Sequence, residues 1–303
     1  MSRFRSLATA MALCATAVAG CGLGPGKDEG EVQLTVTRDY GSEVMLQKSD
    51  SINESDTVLR VLDRNADITT RFGGGFIQSI DGLAGTQSGG RSSDWFFYVN
   101  GIESPIGSAE YDLSGDDRIW WDYRDWTAAM RVPAVVGSWP EPFVHGFQGK
   151  RYPVDIVCDG SPKPCNRVAG ALRAAGVGVT GGGRAAEKIE VFVGPWSSVG
   201  REGTPHLLTQ TPDRSGVFAR FVDSASRPFL EVLNHQGQPA GSIGKGGGLV
   251  AALRPGDGPP TWVVTGTDEN GVAAAAAQLG AGLRNRYAVA VQPGAGPIGV
   301  PVP

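Results

Sequence analysis

The run WFFYVNG at residues 95–101 decides how this chain folds. Asn-Gly is a dipeptide that readily takes positive φ, so Asn100-Gly101 marks a tight hairpin turn at the end of an aromatic strand. Side chains alternate across a strand. Trp95, Phe97 and Val99 therefore share one face, and Phe96 and Tyr98 share the other with Asp94 and Asn100. RIWWDY at 118–123 repeats the pattern: Ile119, Trp121 and Tyr123 oppose Arg118, Trp120, Asp122 and Arg124. The purely apolar set predicts packing against a helix. The mixed set predicts a second face of rings among charges.

Working outward, VQLTVT (32–37) alternates at period two, turns at Tyr40-Gly41 and meets a hairpin partner over 43–46. Ser55 or Asp56 can cap a helix whose stripe is Val58, Leu59, Val61, Leu62 and Ala66. FIQSI (76–80) is a further strand. One helix on a sheet of about five strands predicts an α+β, β-grasp-like N-terminal domain over 31–126. Gly73-Gly74-Gly75 lies between helix and strand, which is the wrong order for a phosphate cradle. Gly115-Asp116-Asp117 lacks the further oxygen ligands of a calcium loop.

GGFIQSIDG (74–82), WFFYVNG (95–101), AEYDL (109–113) and GDDRIWW (115–121), in that order, resemble the transcobalamin-like C-terminal domain family. In the animal carriers of that family this small domain closes over a cobalamin held mainly by a helical barrel, and no barrel pattern is read here. The resemblance implies a small amphipathic, corrinoid-like ligand. Strand alternation, with one helix unable to cover both sheet faces, makes Phe96, Tyr98 and Trp120 the candidate binding residues. Either the following domain and linker cover that second face, or a ligand or partner protein does.

Residues 127–151 carry prolines at 133, 140 and 142 and read as an extended linker anchored by Trp139 and Phe143. Over 152–292 strands and helices alternate, predicting an α/β domain with a mixed sheet, ahead of a loose Pro/Gly tail at 293–303. Helices are expected over 167–175 and from Asp268, as N-cap, to 286. Lys245 sits in a glycine-rich loop without P-loop spacing. His145, His206 and His235 are scattered and form no zinc motif, and no Gly-x-Ser-x-Gly elbow is present. Neither a catalytic residue nor a metal site or cofactor is expected.

Arg3 and Arg5 precede an apolar stretch over 7–19 that is too short for a comfortable membrane span. It ends in VAGC (18–21), which resembles the lipobox of bacterial lipoproteins. The resemblance implies that 1–20 is a signal peptide and that Cys21 is lipidated, with 21–30 a flexible tether. Two acyl chains, at about 0.8 kcal/mol per methylene, hold a domain on the membrane. The expected location is thus the extracytoplasmic face of the cell membrane. In that oxidising compartment Cys158 and Cys165 predict a disulfide.

Lys and Arg number 27 against 31 Asp and Glu, giving a formal charge of -4. With no basic run, nucleic acid is excluded as a natural partner. The expectation is a lipid-anchored binding protein that captures a small amphipathic ligand for a membrane transporter. The alternative is a protein-interaction or envelope-scaffolding lipoprotein without a small-molecule ligand.

Overall fold

A computed structural model describes residues 26–71, 75–180, 185, 187–224 and 227–303. The chain is a mixed α+β protein built mainly from strands. Its N-terminal half runs β1 (Asp28–Arg38), β2 (Glu43–Asn53), α1 (Val58–Asn65), β3 (Ile68–Arg71), β4 (Phe76–Ile80), β5 (Leu83–Ala84), β6 (Thr86–Ser88), β7 (Arg91–Val99), β8 (Ile102–Glu103) and β9 (Arg118–Asp125). The first sheet has the order β2-β1-β9-β7-β6, with β8 on β7, and its centre is the parallel pair β1–β9. β3, β4 and β5 form a separate small sheet.

Alternation sorts this first sheet into two faces. Val32, Leu34 and Val36 are fully buried with Trp95, Val99, Ile119 and Trp121 against Val58, Val61 and Leu62 of α1. The helix cap is Thr57, whose hydroxyl accepts from the Arg60 amide; Ser55 and Asp56 do not fill that position. Asp56 instead accepts from the Asn53 amide and pairs with Arg64. Residues 28–30, expected to belong to a tether, are part of β1. The signal segment and Cys21 lie outside the described residues.

The C-terminal half runs β10 (Val154–Cys158), α2 (Pro162–Ala174), β11 (Val179–Thr180), β12 (Ile189–Pro195), α3 (Trp196–Val199), α4 (Pro212–Ser215), β13 (Ala219–Val222), β14 (Phe229–Leu233), β15 (Pro239–Ile243), β16 (Gly248–Leu253), β17 (Thr261–Gly266), α5 (Glu269–Ala276), β18 (Ala288–Val291) and β19 (Pro297–Val300). Its main sheet, β11-β10-β12-β17-β16-β18-β19, is parallel from β11 through β17 and antiparallel from there to β19. α2 and α5 cover one face, together with Phe143 and Phe147 of the connecting segment. Trp139 and Phe143 both reach Trp262, at ring-centroid distances of 5.8 and 4.8 Å. The β13-β14-β15 sheet packs on the other face.

Three local expectations need correction. α2 starts at Pro162, five residues early, because proline at the first helical position needs no amide partner. α5 stops at Ala276, since Gly280 and Gly282 follow and glycine is a poor helix former. The C-terminal tail is not loose: β19 pairs with β18, and the Val302 amide donates to Leu233 O.

Cys158 and Cys165 are disulfide-bonded, with Cα atoms 6.0 Å apart, and staple the end of β10 to the first turn of α2. Closing this short loop removes about 2.5 kcal/mol of unfolded-chain entropy on the loop-closure model. Reduction should lower the unfolding free energy by that much, and so lower the denaturation midpoint, and a double Ser variant should match the reduced protein. No change in midpoint would show that the bond adds nothing.

Candidate functional site

The second face of the first sheet is shared between a buried seam and an open cleft. Gln33, Thr35 and Thr37 of β1 pair in register with Arg118, Trp120 and Asp122 of β9, so all point to this face. At the far end of β9 the C-terminal half covers it. Tyr98 is fully buried and Trp120 only 3 % exposed, both packed edge-to-face on Tyr287 at 5.7 and 5.4 Å. Phe96 is half-buried under the Arg124 guanidinium, 3.7 Å from the ring centroid. The aromatic face proposed to bind a ligand is therefore closed: of the two coverings left open by the sequence, the protein uses its own C-terminal half. Aromatic rings too large to leave in water supply this seam.

Polar groups in the seam satisfy one another. Asp122 accepts from the Thr37 hydroxyl at 2.6 Å, the Gly41 amide at 3.0 Å and the Tyr287 hydroxyl at 2.9 Å. Trp120 Nε1 donates to Thr37 Oγ1 at 2.7 Å. Burial nevertheless dominates and pushes the Asp122 carboxyl up to about 6. Arg124 donates to the carbonyls of Ala129 and Met130, which ties the connecting segment to β9. Gly137 permits the close approach: a Cβ there would meet Arg286 N at 2.6 Å and the Trp120 ring at 2.7 Å. Gly137→Ala should destabilise the seam by about 1–3 kcal/mol, as overpacking does. An unchanged melting temperature would place the two halves further apart.

At the other end of the same face lies a cleft of about 380 Å³ between the two halves. Its floor is Glu31, Gln33 and Thr35, the side of β1 opposite the core residues Val32, Leu34 and Val36. Asp116 enters from the turn before β9, Arg118 from the first position of β9, Glu141 and His145 from the connecting segment, and Arg284 and Asn285 from the loop before β18.

Asn100, behind the lining, braces one wall. It takes φ 54° in its hairpin turn, and its buried amide nitrogen donates to Asp117 Oδ1 at 2.7 Å and to Gly146 O at 2.8 Å. Its amide oxygen accepts from the Arg118 backbone at 2.9 Å. One side chain thereby fixes the 114–118 turn against the connecting segment. Asp117 is buried beneath, which raises its carboxyl above the ordinary value.

Glu141 orients His145. Glu141 is 1 % exposed, and its two oxygens accept from the His145 amide at 2.9 Å and from Nδ1 at 2.8 Å. A carboxylate at Nδ1 makes that nitrogen the donor and leaves Nε2 as the acceptor of the neutral ring. Nε2 lies 3.8 Å from Asp116 Oδ2. Such an imidazole can accept a hydrogen bond or a proton from a bound molecule. Among the described residues no Ser, Thr or Cys side chain is hydrogen-bonded to it, and no group of three or more His, Cys, Asp or Glu could hold a metal ion.

The scatter of histidines along the chain conceals this pair. The available signal was a glutamate four residues earlier within a proline-punctuated segment. Asp268, by contrast, caps α5 as expected, accepting from the Gly271 amide at 3.0 Å and also from the Gly246 amide.

A family model described as a domain of unknown function, DUF4430, matches residues 55–125. No curated protein matches the chain. Among solved structures, a Ruminococcus gnavus protein described as a "putative metal binding protein" is similar at 16% identity, covering 32% of this chain and 98% of that one, with a TM-score of 0.25. Haptocorrin in complex with Cbi is similar at 13% identity, covering 32% of this chain and 26% of haptocorrin, with a TM-score of 0.27.

Proposed function

We propose that this chain is a lipid-anchored, extracytoplasmic binding protein that holds a small polar ligand in the cleft between its two halves. The observation that carries this reading is the convergence on one concave site of polar groups from four segments, several of them without protein partners. The side chains of Glu31 and Arg284 have no hydrogen bond or ion pair among the described residues, and that of Asp116 has only the 3.8 Å approach of His145. Clefts at domain interfaces with a few convergent polar groups are the usual form of small-molecule sites.

A corrinoid is not favoured by this geometry. A broad amphipathic macrocycle wants aromatic platforms, and Phe96, Tyr98 and Trp120 are engaged in the seam. The cleft presents carboxylate, guanidinium, amide and imidazole groups instead. The role is binding, not catalysis, with the ligand passed to a membrane transporter. The lipobox reading of Cys21 supports anchoring, and among the described residues no helix is long and apolar enough to cross a membrane.

Two measurements test this. In cells, Cys21→Ser should abolish acyl labelling; retention of labelled lipid would refute the anchor. With purified protein, a library of small polar metabolites, plus cobalamin and cobinamide, should yield a saturable thermal shift for a polar compound. His145→Ala and Arg118→Ala should remove that shift. Saturable corrinoid binding that survives both substitutions would refute the cleft as the ligand site.

A further inference from the structure

We infer that a second pocket, on the N-terminal half and apart from the cleft, binds a ring of a neutral saccharide. It encloses about 310 Å³ between the small sheet and the β6 edge of the first sheet. Phe76 and Gln78 enter it from β4, where they alternate with the buried Ile77. Arg71 comes from the end of β3, Gln87 from β6, Asp94 from β7 and Trp126 from just past β9.

Phe76 and Trp126 leave ring surface open. Phe76 is 41 % exposed and Trp126 half-buried. Neither packs on another aromatic ring among the described residues, whereas Phe97 and Tyr98 pack on Trp121 and Trp120. A bare ring takes the C–H face of a sugar, burying apolar surface while the hydroxyls at the sugar's rim stay free for polar contacts.

Asp94 anchors the polar side. One of its oxygens accepts from the Trp95 amide at 2.9 Å, and the carboxylate has no ion pair among the described residues. Gly85 stands against it: a Cβ there would lie 2.9 Å from Oδ1 and 3.3 Å from Oδ2, so glycine is what leaves the carboxylate room. Burial holds this carboxyl above its ordinary value, and Arg71 is near enough for its charge to oppose that. No ion pair closes between them, however.

That gap selects the ligand. A hydroxyl donates to a carboxylate and accepts from a guanidinium at once. A simple cation or anion would satisfy one of these groups and meet like charge at the other. A zwitterion would depend on an ion pair with the exposed Arg71, and exposed pairs are weak. The side chains of Gln78 and Gln87 and the indole nitrogen of Trp126 have no hydrogen-bond partner among the described residues. Each amide adds a donor and an acceptor for neighbouring hydroxyls.

The test titrates maltotriose, cellotriose, mannotriose and chitotriose calorimetrically into the whole mature protein, with alanine as a zwitterionic control. A saccharide should bind saturably at millimolar concentration, and alanine should not. Asp94→Asn should weaken that binding on the order of tenfold by removing the charged acceptor. Phe76→Ala should weaken it similarly with little change in melting temperature, because the ring is exposed, and Phe76→Tyr should bind as wild type. Failure of every saccharide to bind would overturn the inference, as would alanine binding that Asp94→Asn abolishes. Saccharide binding unmoved by Asp94→Asn and Phe76→Ala but lost in His145→Ala would assign the sugar to the cleft, overturning this pocket and leaving the reading of the cleft intact.

Discussion

Trp120→Ala should lower unfolding stability by about 3–5 kcal/mol, as large a loss as Trp121→Ala on the opposite face. Both rings are nearly fully buried, at 3 % and 2 % exposure. They belong to different cores: Trp121 packs with α1, and Trp120 packs with Tyr287 in the seam between the halves. Urea denaturation of both variants decides the point. A Trp120→Ala loss under about 1 kcal/mol, in the range of a surface change, would mean that the halves do not close over it.

Phenylalanine replacements separate the two further. Trp120 Nε1 donates to Thr37, so Trp120→Phe removes a made bond in a buried network. Trp121 Nε1 is buried without a hydrogen-bond partner, so Trp121→Phe deletes an unsatisfied donor. Trp120→Phe should therefore cost more than Trp121→Phe, although both lose similar ring area.

Stability should fall as pH rises from about 4 to 7, and Asp122→Asn should flatten much of that fall. Burial raises the Asp122 carboxyl from its ordinary 3.8 to about 6, so between those values the folded state binds more protons than the unfolded. Stability contributed by this group is then complete below about pH 4 and lost as pH rises through about 6. A shift of this size corresponds to about 3 kcal/mol. Burial also raises Glu103 and Asp117, which add with the same sign, while hydrogen bonds and charge from Arg64 lower Asp56 despite its burial and oppose it.

Asparagine keeps the geometry. Its oxygen can accept from Thr37 and Gly41, and its nitrogen can donate to the Tyr287 hydroxyl, which is free to turn toward Tyr98. Denaturation midpoints at pH 4.5 and 7.5 for wild type and variant provide the comparison. Equal pH slopes in the two proteins would remove Asp122 as the source.

Strand periodicity by itself determined the two faces of the first sheet. Val32, Leu34, Val36, Ile119 and Trp121 had to share a core because side chains alternate, and the stripe Val58, Val61 and Leu62 had to meet them. The Asn100-Gly101 turn, the Asp268 cap and the disulfide between Cys158 and Cys165 were likewise legible, because each depends on residues close in sequence. What covers the second face was not. Tyr287 reaches Tyr98 and Asp122 across 189 and 165 residues, and no local pattern encodes such contacts. The cleft escaped for the same reason. Asp116, His145 and Arg284 lie far apart in the chain, and only the packing of the C-terminal half over part of the sheet leaves them facing one opening. Local sequence fixes which side of a strand a residue occupies, whereas tertiary packing alone decides whether that side is buried or open to a ligand.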